Sequence, residues 1–351
     1  MYNSSQLEDH AYYDLSLNNT STTPISALLF ENRTYPLIMD PSKYHLSIVR
    51  FLVPTSYLPI FIWPTVGNNL PNNNYYSVTI RRAGVDYQVF LTYVPQNNLT
   101  SVNSDYLFVY AYQQFIDAIN VALKAAFIAA GGTATIPPYL IFDATTGLIS
   151  IIGEYAYANL LAQYEIYMNG PLYQFFDNFN VKKFGYNQLN GKDNLIYIQN
   201  NGNNDFQSHA PTYLESTVND SYIMTQEYNA LYNWNEVRSL VFVSNSLPIA
   251  NESINVQTPS NMQTSSSYRK ILTDYDLNIQ SGLSNNTLRS YVQYSPPGEY
   301  RLISMNTDQP IYKVDVQIFF ETSNQVLYPL LINPNEYISI KMLFRSKKFK
   351  N

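Results

Sequence analysis

Cysteine is absent from this 351-residue chain, and histidine occurs only three times. The first absence removes disulfides, zinc–thiolate sites, iron–sulfur clusters and thiol nucleophiles together. It also argues against maturation in an oxidising compartment. Charge is scarce as well: Asp, Glu, Lys and Arg make up 13% of the chain, where roughly 25% is usual in soluble domains. No run of about 18 apolar residues occurs, so no membrane span is expected. Residues 1–6 carry neither the basic start nor the apolar run of a secretory leader, so synthesis in a cytoplasm-like compartment is expected. A Gly-x-Ser-x-Gly elbow and a glycine-rich phosphate loop are both missing, and Gly131-Gly132 ends a helical pattern rather than starting one. These gaps leave no cofactor to expect.

In place of charge stand Asn, Ser, Thr, Gln and above all Tyr, present 33 times. Tyr gives large, stiff, amphipathic contact area, and interface cores are poor in Lys, Glu and Asp. The composition therefore suits a protein that assembles with others. An AT-rich genome yields the same bias. The formal net charge of −6 gives no reason to expect broad nucleic-acid affinity. The closing run is the exception: Arg345, Lys347, Lys348 and Lys350 fall within six residues. They are candidate contacts for packaged genome or an acidic partner.

Apolar patterning is mainly that of strands. Residues 1–25 are polar and aperiodic, which predicts a flexible arm. From Tyr44 the run Tyr-His-Leu-Ser-Ile-Val-Arg-Phe-Leu-Val alternates and then turns continuously apolar, as a buried sandwich strand does. Residues 75–81 and 85–94 read as two strands around Ala83-Gly84. Residues 139–151 form a hairpin pattern, with Asp143 opening the turn and Gly147 where a positive φ is needed. Val314, Val316, Ile318 and Phe320 alternate with Asp315 and Gln317. One helix is expected over 110–130, where Phe115, Ile119, Leu123 and Phe127 recur every four residues beside Ile116 and Ala126. Residues 180–225 read mostly as long loops around a strand at 194–198, and 250–268 as a polar, mobile segment.

About a dozen short strands with turn signals between them predict a mainly β protein. The expected form is a jelly-roll β-sandwich with an inserted or second β-rich region carrying one amphipathic helix. The expected organisation is an arm at 1–25, first jelly-roll strands at 26–100, an insertion or second domain at 101–225, and the last strands with a basic tail at 226–351.

Chemistry-bearing groups are sparse. His10, His45 and His209 lie far apart in sequence, each without a second ligand at metal spacing. Asp274 and Asp276 would share one strand face, where an acid/base pair or Ca²⁺ site is conceivable, but a plain polar face is the simpler reading. Tyr75-Tyr76 and Tyr12-Tyr13 are candidate glycan platforms, which keeps a glycan-binding β-sandwich as the alternative function.

Several segments together resemble the minor capsid, or penton, proteins of virophages and of polinton-like or adintovirus-like DNA viruses. They are Tyr139-Leu140-Ile141-Phe142-Asp143-Ala144-Thr145-Thr146-Gly147-Leu148 after the long helix, and Glu165-Ile166-Tyr167-Met168-Asn169-Gly170-Pro171-Leu172-Tyr173. Ser239-Leu240-Val241-Phe242-Val243-Ser244-Asn245-Ser246-Leu247-Pro248 and Leu272-Thr273-Asp274-Tyr275 follow. The last block runs from Pro297-Gly298-Glu299-Tyr300-Arg301 to Lys341-Met342-Leu343-Phe344-Arg345. The likeness is one of pattern, from about residue 100 onward. It implies a non-enzymatic virion protein, made in the host cytoplasm or virus factory. It further implies a jelly roll split by an insertion, and homopentamers that plug icosahedral five-fold vertices beside the major capsid protein.

Overall fold

The structure is a computed structural model describing residues 10–67, 70–95, 107–132, 137–154, 164–179, 181–183, 194–196, 205–208, 220–249, 253–255, 268–277, 291–294 and 301–347. Two compact units divide the chain. The first combines Met1–Leu58 with Val237–Asn351, and the second is Pro59–Glu236, inserted between those halves in sequence. The division thus falls after Leu58 and Glu236, where the sequence reading set it near 100 and 225. The principal strands of the first half are β1 (His10–Asn18), β2 (Leu28–Asn32) and β3 (Tyr44–Pro54). The insert supplies β4 (Ser77–Arg82), β5 (Val85–Phe90), helix α1 (Tyr112–Ala129), β6 (Tyr139–Phe142) and β7 (Ile149–Glu154). It continues with β8 (Tyr164–Met168), the short helix α2 (Gly170–Tyr173), β9 (Asn194–Ile196) and β10 (Asp220–Thr225). The chain returns with β11 (Val237–Ser244), β12 (Tyr268–Asp276), β13 (Tyr291–Tyr294), β14 (Lys313–Thr322), β15 (Leu327–Pro329) and β16 (Tyr337–Ser346).

In the first unit two antiparallel sheets form a jelly-roll sandwich. One sheet runs β1-β16-β3-β13; the other runs Ser253–Asn255, β12, β11, β14, β15, with β2 also on β14. Alternation, shifted once by a bulge at Val49, sends Leu46, Ile48, Phe51 and Val53 of β3 inward with Ile340, Met342 and Phe344 of β16. Leu240, Phe242, Ile318 and Phe320 are buried on the other sheet, and the Phe51 and Phe242 rings meet at 4.7 Å. Each such side chain contributes about 1.5–3 kcal/mol on burial. The second sheet is also buried on its other face, where Val241, Val243, Ile271, Phe319 and Leu327 cluster. That is why β11 reads as a nearly unbroken apolar run.

The expected N-terminal arm contains a full strand. β1 pairs residue for residue with β16, from His10 opposite Arg345 to Asn18 opposite Tyr337. Its inward positions are Ala11, Tyr13, Leu15 and Leu17, of which Tyr13 and Leu15 are buried. This period-two run is carried by residues 11–17 alone, within an otherwise polar, aperiodic stretch. Asn19 then fixes the turn. Fully buried, it donates from Nδ2 to the carbonyls of Thr23 and Ile332 and accepts at Oδ1 from Ser21.

Asp315 is the second departure. The alternation predicts a solvent-facing carboxylate, yet it is 5% exposed. It accepts from Ser244 Oγ at 2.7 Å, the Asn245 amide at 2.9 Å, the Ser246 amide at 2.7 Å and the Ser246 hydroxyl. One carboxylate thereby satisfies the turn that ends β11.

In the insert α1 begins at Tyr112 and buries Phe115, Ile116, Ile119, Ala122, Leu123, Ala126 and Phe127. The Gly131 amide returns to the Ile128 carbonyl and the Gly132 amide to the Phe127 carbonyl, with Gly131 at φ +80°. Arg82 Nη1 donates to the Ala130 carbonyl at 2.8 Å, placing a cation at the negative helix end. Asn120 grips β6 by donating to the Leu140 carbonyl and accepting from its amide. The β6–β7 hairpin is as patterned: Asp143 accepts from the Thr145 amide and Thr146 hydroxyl, and Gly147 has φ +71°. Asn169 caps α2 through the Leu172 amide, accepts from the Ser77 amide and donates to the Tyr75 carbonyl.

An aromatic cluster fills the insert's core. Trp234 is fully buried, contacts Phe61, Phe115, Phe175 and Phe176, and donates from Nε1 to the Phe175 carbonyl. The two ends of the insert lie side by side: the Glu236 amide donates to the Ile60 carbonyl, and the Ile62 amide to Glu236 Oε2. Within 180–225, read as loops around one strand, Val181–Lys183, Asp205–Ser208 and β10 are also strands. Most of 250–268 lies outside the described residues, apart from Ser253–Asn255.

A methyl group at Gly132 would clash with the edge of the buried Phe127 ring. Gly132→Ala is therefore expected to destabilise by about 1–3 kcal/mol in chemical denaturation, through overpacking. Burial raises the Asp315 pKa, but hydrogen bonds from Ser246, Asn245 and Ser244 outweigh it and hold the carboxyl below its ordinary value. The unfolded chain thus binds the proton more readily, so stability rises with pH. The Asp315 contribution is complete above the unfolded carboxylate range and is lost as pH falls through the folded value. Asp315→Asn is expected to cost about 1.5–3 kcal/mol near neutrality, with the gap to wild type closing in acid. A gap that stays constant down to the acid transition would contradict this.

Candidate functional site

The basic residues singled out at the C-terminus are divided by the structure. Arg345 is a strand residue rather than part of a tail, set by register between His10 of β1 and His45 of β3. Lys347 follows the strand end; its amide donates to the Lys43 carbonyl at 2.8 Å and its Nζ to the Met305 carbonyl at 3.4 Å. Lys348 and Lys350 lie outside the described residues. His45 Nδ1 is 3.3 Å from Ser304 Oγ. Burial, then the charges of Lys347 and Arg345, push the His45 imidazole below its ordinary pKa.

Two rows along the same sheet, Asp14 pairs with both Lys341 at 3.4 Å and Arg50 at 3.6 Å. Tyr12 stands between these rows, 61% exposed, with the Lys341 ammonium 5.8 Å from its ring centre. Cross-strand register assembles this charged face, and no linear motif announces it.

The other candidates do not assemble into a reactive centre. His10 and His45 lie on separate strands of one sheet, flanking Arg345. His209 lies outside the described residues. Among the described residues no group of three His, Asp or Glu side chains is placed to hold a metal ion. Asp274 and Asp276 both face solvent, as alternation requires, and Asp274 accepts from Arg301 Nη1 at 2.7 Å. That ion pair accounts for the polar face.

Of the tyrosine pairs, one member of each is core. Tyr76 is 4% exposed and packs edge-on against Trp63, Phe115 and Phe175. Tyr13 is buried beneath the Arg33 guanidinium, 5.5 Å from its ring centre. Neither pair offers two adjacent exposed rings.

Two apolar surfaces went unnoticed in the sequence. On β2, Leu28 and Phe30 point outward and are exposed, while Leu29 between them is fully buried. Tyr35, at 81% exposure, and Met39 are exposed in the segment that follows β2. Period-two alternation with apolar residues on both faces marks a strand that water does not suit on either side. The insert carries a groove of about 400 Å³, lined by Trp63, Val89, Tyr93, Val94, Phe115 and Val121 among others.

Known proteins match nearly the whole chain. The family model described as Sputnik minor capsid protein V18/19 matches residues 11–346. Structural protein V19 of Sputnik virophage is 33% identical over 210 residues, covering 59% of this chain and 93% of that protein. Protein V18 of the same virophage is 33% identical over 146 residues, covering 35% of this chain and 84% of that protein. A chain in the cryo-EM structure of the Sputnik virophage superposes with a TM-score of 0.77 at 30% identity, over 97% of this chain and 99% of that one. The crystal structure of the mavirus penton protein superposes with a TM-score of 0.65 at 15% identity, over 97% of this chain and all of that one, a likeness of fold.

The placement of the tyrosines separates core from surface. Tyr76→Ala is expected to cost about 3–5 kcal/mol in thermal or urea unfolding. Tyr75→Ala, at a 42% exposed ring, is expected to cost under about 1 kcal/mol. Equal effects would mean that the insert's core is wrongly assigned.

Proposed function

This chain belongs to the Sputnik minor capsid protein V18/19 family, and from that premise we propose that it is a penton subunit. In this reading, it is made in the host cytoplasm or virus factory. Five copies close a ring at each icosahedral five-fold vertex, and the ring contacts the major capsid protein around it. The split jelly roll of Met1–Leu58 and Val237–Asn351 is the shell-building domain, and Pro59–Glu236 is an inserted second domain.

The observation that carries the proposal is the match along almost the full length of a Sputnik particle chain, joined to a fold shared with the mavirus penton protein. The surface suits it. A ring of identical subunits needs two different, complementary patches on each copy. The outward side chains of β2, Leu28 and Phe30, form an apolar strip at the side of the sandwich, of the kind that subunit contacts cover. Low charge lowers the desolvation cost of bringing such faces together.

The deciding measurement is the native mass of the purified chain, by light scattering and native mass spectrometry, with and without the major capsid protein. A mass of five chains, or five-fold assembly on adding the shell protein, is expected. Phe30→Asp is expected to shift that assembly toward monomer while leaving the monomer's melting temperature within about 2–4 °C of wild type. A monomer that stays monodisperse at high concentration and inert toward the major capsid protein would sink the proposal, and three copies would point to a trimeric capsid role.

A further inference from the structure

The outward face of β1, β16 and β3 gathers positive charge in a chain whose formal net charge is −6. Register sets it out in rows. Asp14, Lys341 and Arg50 make one row, Tyr12, Leu343 and Ser47 the next, and His10, Arg345 and His45 the third, which Ser304 extends. In the middle row Tyr12 is exposed while Leu343 and Ser47 lie buried among the longer side chains. Along β16 the outward cations Lys341 and Arg345 lie about 14 Å apart, and Lys347 follows just past the strand end. Among the described residues of these rows Asp14 is the one carboxylate, and it pairs with Lys341 and Arg50. His45, in the third row, lies in the field of Lys347 and Arg345. Sequence continues the run with Lys348 and Lys350, and places Glu8 and Asp9 just before His10. Tyr12 supplies an exposed ring among the cations.

We propose that this face binds the phosphate backbone of nucleic acid, with Arg50, Lys341, Arg345 and Lys347 as the phosphate-contacting cations and Tyr12 as a stacking platform for bases. Cations spaced about 14 Å apart along a strand, with an exposed aromatic ring between them and a further cation past the strand end, suit a polyanion whose bases present π-faces. An acidic protein surface offers no bases. The capsid reading enters only as the source of the nucleic acid; the recognition chemistry belongs to the face itself.

The test is fluorescence anisotropy of a labelled single-stranded DNA of about 30 nucleotides, titrated with the full chain from roughly 50 to 200 mM salt. With three or four phosphate contacts, log K is expected to fall with log salt at a slope of about −2 to −3. Arg345→Gln with Lys347→Gln should weaken binding at least ~10-fold at the lowest salt and reduce the slope. Tyr12→Ala should weaken binding about 5-fold or more without changing the slope. Lys124→Gln, on the exposed side of α1 in the insert, serves as the control and should change nothing. Melting temperatures of all variants establish that each is folded. Absence of binding at about 50 mM salt, or binding indifferent to the Arg345 and Lys347 changes, would overturn the proposal. So would poly-glutamate of matched charge competing better than DNA, which would assign the face to an acidic protein. A five-chain assembly that ignores DNA would remove this inference and leave the vertex reading intact. A monomer whose DNA binding needs Arg345 and Lys347 would do the reverse.

Discussion

The pairing of β16 between β1 and β3 is the constraint on which the first unit depends. The last described strand sits inside its sheet, hydrogen-bonded to β1 on one side and β3 on the other. These are contacts between the two ends of the chain, so the sheet cannot close until residues 337–346 have arrived. Contacts so distant in sequence pay their loop entropy before any packing is gained. The insert eases this, because Ile60 and Glu236 are hydrogen-bonded neighbours and a folded insert brings residues 59 and 236 together. A 178-residue detour thereby becomes a short connection for the jelly roll. The same β16 register lines up Lys341 and Arg345 with the cations and imidazoles of the neighbouring strands.

The abundance of asparagine acquires a structural reading. Asn19, Asn120 and Asn169 each use both ends of the carboxamide on backbone groups or on a neighbouring residue at a turn or element boundary. Asp315 does the same work with a carboxylate at the end of β11. Buried backbone groups must find partners, and in a chain with few charges neutral amides supply them. Tyrosine is divided between two roles. Tyr44, Tyr57, Tyr76, Tyr139, Tyr164, Tyr167 and Tyr173 are core residues, whereas Tyr12, Tyr35, Tyr75, Tyr228, Tyr312 and Tyr337 are exposed. A biased codon supply and an assembly surface are therefore both compatible with the composition, since the fold uses the same residue inside and out.

The capsid family sets this division in context. A minor capsid protein needs a rigid sandwich, side faces that tolerate contact, and a way to meet its surroundings. Tight buried turns serve the first need. The exposed apolar residues of β2 and the segment after it match the second, and the charged face of β1, β16 and β3 is available for the third.

Local patterning by itself determined the mainly β class, the helix through Phe115, Ile119, Leu123 and Phe127, its glycine stop, and the Asp143–Gly147 hairpin. Each of these is encoded by neighbours within a few turns, so periodicity and turn chemistry suffice. Tertiary structure decided which partner residues 10–18 take: Ala11, Tyr13, Leu15 and Leu17 alternate, but the strand is held by β16, more than 300 residues away. It also decided that Asp315 is buried, since its donors arrive from the turn at residues 244–246. Arg345 changed from a tail residue to the centre of a cross-strand row for the same reason. Strand register is a property of paired chains, and a single strand's alternation records which face a residue occupies but not which neighbours will share it.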